Sequence, residues 1–289
     1  QNMELTIDKP VLYVHAGAPT SLHVEVVPGE GMSVAEHYPP VEGALTWDVE
    51  VTPGECTTPR VYSGPCNSTD GYCETQELGL YETHDAACLT HGELSLPLLF
   101  YRLRADTPPA LPLTVERNDA SGAVLRNVGL RPGASVWRVS WDGGATHATR
   151  MTVPAAGEEF TLSRAVEGGV GEARAATRQE LFRLGLTQDE ADAFMRAWDS
   201  ALFGAAPSNE NVDGIPADLP PATDHPVDID SLTADETVIG DPRSRNAPRV
   251  SDALLYWLPE SNIESMAALS FRPQPQKISR AILVRVDLN

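Results

Sequence analysis

Leu22, Val24 and Val26 alternate with His23, Glu25 and Val27, and Leu45, Trp47, Val49 and Val51 alternate with Thr46, Asp48, Glu50 and Thr52. A period of two sends successive side chains to opposite faces, so both stretches predict half-buried strands. Pro28-Gly29 and Pro53-Gly54 punctuate their exits. Leu94 to Leu103 is apolar enough for a largely buried strand, with Pro97 at its start or on an edge. Strands repeated at this spacing predict a sandwich-like domain over residues 1–105.

A second β segment follows Pro108-Pro109. Leu111 to Glu116 and Val124 to Val128 flank a turn at Asn118-Asp119, and Asp142-Gly143-Gly144 joins Val136–Trp141 to Thr146–Val153 as a hairpin. This predicts a small Ig-like domain over 106–166. From Gly171 the period becomes helical. Arg174 to Leu184 predicts a helix stopped by Gly185, and Thr187 with Glu190 three residues later forms a capping box for the next. Ala191, Phe194, Met195, Trp198 and Leu202 then share one helix face, which reads as core packing. Val250 to Leu258 and Ile278 to Val286 predict strands, with a short helix over Pro259–Ala268 between them. The expected fold class is mainly β with a C-terminal α+β part: a β-sandwich-like N-terminal region, an Ig-like segment, and a helical hairpin packed on a sheet within 167–289.

Residues 206–249 differ in kind. They hold no Phe, Tyr or Trp, seven prolines and nine acidic residues, so they cannot bury enough apolar surface to fold by themselves. Within them, Asn209-Glu210-Asn211-Val212-Asp213-Gly214-Ile215 copies the first half of a calcium loop. Asn209, Asn211 and Asp213 supply oxygens at positions 1, 3 and 5, and Ile215 would add its carbonyl. Position 12 is Pro220, where a bidentate glutamate is needed; Asp224, Asp228 and Asp230 are the available substitutes. Calcium is the one candidate cofactor, and an ordinary acidic loop without an ion is the alternative reading of this stretch.

The net charge is −20, with 41 acidic residues against 21 basic. Such a surface repels phosphate backbones and anionic membranes, which argues against nucleic acid as a partner and is compatible with cations, basic proteins or plain solubility. No run reaches the roughly 20 apolar residues of a membrane helix. A secreted precursor processed just before Gln1 would start like this, a few residues before the first strand, and so would a chain trimmed there.

All four cysteines, Cys56, Cys66, Cys73 and Cys88, lie in one segment rich in Gly, Pro, Ser and Thr. An even, clustered count predicts two disulfides in an oxidising compartment, with three pairings open. Zinc is the rival, but there is no Cys-x-x-Cys knuckle. His84, Asp85 and His91 share the region and form a second candidate metal group. The remaining histidines, His15, His23, His37, His147 and His225, are scattered. Asn67-Ser68-Thr69 is a glycosylation sequon, expected to be silent. No nucleophile elbow, metalloprotease motif, P-loop or dinucleotide fingerprint occurs.

Six pieces recur in order: Lys9 to Val14, His37-Tyr38-Pro39, Thr46-Trp47-Asp48-Val49, Leu99-Phe100-Tyr101-Arg102, the Gly185-Leu186-Thr187…Glu190-Ala191…Ala197-Trp198-Asp199-Ser200 segment, and Pro273…Pro275 before Arg280 to Val286. Together they resemble an uncharacterised family of bacterial secreted or envelope proteins that has no assigned activity. Here His37 stands where that family carries tryptophan, and the acidic insert replaces a Glu-Glu-Gly. The resemblance implies a secreted, periplasmic or outer-surface location in a bacterium.

These readings lead to an expected non-enzymatic structural or binding protein that offers an acidic surface for protein or glycan contacts. Two alternatives stay open. One is a secreted hydrolase with a site between the β domain and the helical hairpin, using Arg102 and Glu190. The other is a self-assembling extracellular subunit in which the insert or an end strand docks on a neighbouring copy.

Overall fold

Some strands of this chain are apolar at every position and others at every second one, and that difference decides where each lies. The structure is a computed structural model that describes residues 6–7, 11–56, 81, 83–105, 110–119, 121–142, 145–164, 169–204, 233–238 and 252–288. It is mainly β, with three helices in the C-terminal half: α1 (Val170–Leu184), α2 (Gln188–Phe203) and α3 (Glu260–Met266).

The doubly apolar strands gather in one nine-stranded sheet. Its order is β1 (Thr6–Ile7), β8 (Leu99–Ala105), β2 (Val11–His15), β14 (Thr233–Val238), β17 (Lys277–Asp287), β15 (Asp252–Trp257), β11 (Ser135–Asp142) and β12 (Ala145–Thr152), and β4 (Met32–Tyr38) also pairs with β8. Strands from each of the segments 1–105, 106–166 and 167–289 stand side by side in it. Both faces are covered. Leu12 and Val14 of β2, Leu254 and Tyr256 of β15, and Ile282 and Val284 of β17 enter one core. Val11 and Tyr13, Leu255, and Ala281 and Leu283 of the same strands enter another. The first core lies against two smaller sheets and the second against the helical hairpin.

The alternating strands form those smaller sheets. One is five-stranded, in the order β16 (Ala267–Arg272), β3 (Thr20–Pro28), β5 (Thr46–Thr52), β6 (Cys88–His91) and β7 (Leu94–Leu96). Leu22, Val24 and Val26 of β3 and Trp47, Val49 and Val51 of β5 are its buried face, as the alternation predicts. The buried Trp47 indole donates to the Pro39 carbonyl at 2.8 Å, so its one polar atom is satisfied. The other sheet holds β13 (Glu159–Leu162), β10 (Gly122–Asn127) and β9 (Leu113–Asp119).

Three elements depart from the sequence reading. Pro97 divides the expected strand into β7 and β8, because proline has no N–H to give a ladder. The C-terminal helix stops at Met266, and Ala267–Arg272 continues as a strand paired with Pro28–His23. The two hairpins of residues 111–153 part company: β9 and β10 stay in the small sheet, whereas β11 and β12 join the large one through β15.

The acidic stretch 206–249 supplies an unforeseen strand. β14 stands between β2 and β17, antiparallel to the first and parallel to the second. Its backbone pairs with both neighbours, through Thr233–Val238 on the β17 side and Thr233–Thr237 on the β2 side. Asn209, Asn211, Asp213 and Ile215 lie outside the described residues, as do Cys66, Cys73 and Asn67. Cys56 and Cys88 form a disulfide with a Cα–Cα distance of 4.8 Å. No described helix is long and apolar enough to cross a membrane.

Candidate functional site

The second core has a polar end, built where α2 begins. α1 stops at Gly185, whose φ of 102° lies in the left-handed region. A Cβ there would sit 2.6 Å from Ser279 Oγ and 2.7 Å from Lys277 Nζ, so only glycine lets the turn settle on β17. Lys277 Nζ donates to the Gly185 carbonyl at 2.9 Å. The chain then turns at Thr187, and the capping box forms as its spacing predicts. The Glu190 N–H donates to Thr187 Oγ1 at 3.2 Å, and the Thr187 N–H donates to Glu190 Oε2 at 2.8 Å.

Glu190 does more than cap. Its side chain is fully buried, and its other oxygen, Oε1, lies 2.9 Å from Nε2 of His15, itself 6% exposed. His15 ends β2, two residues beyond Tyr13 and on the same face. Its Nδ1 sits 3.1 Å from the Asp85 carbonyl oxygen. A carbonyl only accepts, so Nδ1 carries a hydrogen. The Nε2–Oε1 contact joins the ring to the Glu190 carboxyl, so each buried polar group meets a partner.

Asp85 closes the circuit. Its carboxylate accepts the Thr187 hydroxyl, while its carbonyl accepts from His15. Partial withdrawal from water raises the Asp85 pKa, the Thr187 hydrogen bond opposes this, and the Glu190 charge adds to the rise. The result is a ring of four residues, Asp85, Thr187, Glu190 and His15, which joins the disulfide region, the helix start and the large sheet. Tyr13 lies beside it and donates to the Tyr81 carbonyl at 2.6 Å. Burial, reinforced by Glu190, holds the Tyr13 phenol well above its usual range. The ring's outer rim is wet: exposed His84 places Nδ1 2.6 Å from Glu55 Oε1 and donates its backbone N–H to Asp189 Oδ2 at 3.2 Å.

A second buried charge pair stands on the other face. The Arg138 Nε donates to Asp252 Oδ1 at 2.9 Å, and a further guanidinium nitrogen reaches Oδ2. Its remaining donors reach the Leu162 carbonyl at 2.7 Å and Asn118 Oδ1 at 3.2 Å. One arginine thus ties β11, β15, β13 and β9, so this pair is a joint between sheets.

Of the residues singled out from sequence, Glu190 is brought into a network and Arg102 is buried in β8. The hydrogen bonds of Glu190 run to Thr187 and His15, and Arg102 is not among them. His84, Asp85 and His91 do not converge. His84 meets Glu55, Asp85 meets Thr187, and His91 Nδ1 contacts the Asp48 carbonyl at 2.9 Å. Among the described residues no three His, Cys, Asp or Glu side chains are placed to hold a metal. His15 and Tyr13 are the residues the sequence reading missed. Their signal was a histidine two positions past a tyrosine in an otherwise apolar strand.

Compared with known proteins, the chain matches no family model, no curated protein and no solved structure.

Proposed function

We propose that the chain is a non-enzymatic binding or structural protein of an oxidising compartment, secreted or at the bacterial cell envelope. It offers an acidic surface to a protein or glycan partner. The observation that carries this reading is the closed ring at the start of α2. Both oxygens of Glu190 and both nitrogens of His15 already hold partners inside the protein. A general acid or base must reach the proton it transfers, and these side chains are buried and engaged. The ring therefore works as a clasp between layers. The Cys56–Cys88 bond favours an oxidising location, and the charge of −20 favours cationic partners met by electrostatic steering.

Binding of the purified chain to an array of glycans and to basic proteins, read by biolayer interferometry, tests this. A specific partner should bind saturably, and with a basic protein the affinity should fall as ionic strength rises. The hydrolase alternative makes the opposite demand. Turnover of an ester, peptide or glycoside substrate that disappears in a folded Glu190→Gln variant would replace the binding reading.

A further inference from the structure

The interior of the large sheet contains one strand unlike the others. β2 reads VLYVH and β17 carries the run AILV, but β14 between them reads TADETV. Its register sets Asp235 opposite Tyr13 and Ser279, and Glu236 opposite Leu12 and Arg280. Tyr13 and Leu12 are core residues of opposite faces. By sequence β14 is the least apolar of the interior strands, with two adjacent acidic residues among its six.

What does hold it is backbone pairing on both sides, through five register positions with β2 and six with β17. That pairing does not depend on which molecule donates the strand. The connections are long on each side: residues 205–232 separate β14 from Gly204, and 239–251 separate it from β15. At up to ~3.3 Å per residue, either connection can span a molecular interface.

We propose that β14 is an exchangeable strand, and that two copies of this chain associate by trading it, each filling the slot between β2 and β17 of the other. The occupant is the identical segment, so exchange conserves every backbone pair and the register, the condition under which swapping costs least. The tether favours the closed single molecule at low concentration. Its effective concentration is on the order of millimolar, so trading appears when the protein is brought to that range.

Equal amounts of unlabelled and nitrogen-15-labelled protein, concentrated together to about millimolar and then diluted, are examined by native mass spectrometry. The expected product is a mixed-isotope dimer that persists after dilution, because its release requires β14 to open again. A monomer at every concentration overturns the proposal, as does a dimer that disappears at once on dilution. A cysteine lock assigns the strand. Val14 and Ala234 are register partners, so Val14→Cys with Ala234→Cys, oxidised while dilute, fastens β14 within its own molecule, as peptide mapping of the monomer verifies. Val11→Cys with Thr237→Cys is a duplicate lock at another register pair. Locked protein should lose the persistent dimer. A locked monomer that still dimerises like the parent shows that another element mediates association, which also overturns the proposal.

Discussion

Tyr256 and Asp85 show how a single side chain sets the balance of this fold. Tyr256 is 1% exposed, its hydroxyl has no hydrogen-bond partner among the described residues, and burial raises its pKa. An unsatisfied buried hydroxyl costs about 1–3 kcal/mol. Tyr256→Phe is therefore expected to stabilise the protein by about 1 kcal/mol in denaturant unfolding; a loss of stability would mean that the hydroxyl has a partner. Asp85 works through pH. Its folded pKa is raised, so the native state holds its proton more tightly than the unfolded chain. The sign follows: stability is greatest below the unfolded pKa and falls as pH rises through the folded value. Asp85→Asn keeps an oxygen for Thr187 and removes the titration. Its stability should vary less with pH above about 4 than the parent's, as urea midpoints at successive pH values would record.

At the scale of elements, the clasp and the hairpin are what the sequence foretold best and least. Thr187, Glu190, Gly185 and the Ala191–Leu202 face were legible because capping and helical period are local signals. The partner of Glu190 was not, since His15 and Glu190 meet only through the packing of α2 on β2. The same division explains β14. A strand of TADETV carries no period of its own, and its place was decided by the apolar strands on either side. β16 was hidden because Ala267–Arg272 follows directly from a helix, with no turn residue to mark the change. The clasp can be weighed by a double-mutant cycle of His15→Phe and Glu190→Gln. Breaking a buried pair from one side costs on the order of 3–5 kcal/mol. Each single change should therefore destabilise strongly, and the double change by less than the sum. Additive losses would show that the two residues act apart.

Over the whole molecule, the charge of −20 and the disulfide act in opposite directions. Like charges repel across the surface, so raising ionic strength from low to physiological values should raise the melting temperature, read by calorimetry. The Cys56–Cys88 bond closes a loop with a sequence separation of 32, and such a cross-link contributes about 2–4 kcal/mol. Reduction should therefore lower stability by that order, and no shift on reduction would make the bond incidental. The fold class was visible in the sequence because periods of two and 3.6 differ sharply. Which strands would share a sheet was not, because both hairpins of residues 111–153 carry the same local pattern and only β15 draws one of them away.

The centre of the large sheet has a kinetic consequence. β2, β14 and β17 stand side by side, yet β2 comes from the start of the chain and both its partner β14 and β17 from the last quarter, so that Tyr13 pairs with Asp235. No local hairpin can prefigure that arrangement, and the loop to be closed spans most of the sequence. Folding rates fall as such distant contacts come to dominate, into the range of milliseconds to seconds. The small sheets and the helical hairpin can form early from neighbouring residues. The sheet that joins them must wait for its two ends to meet.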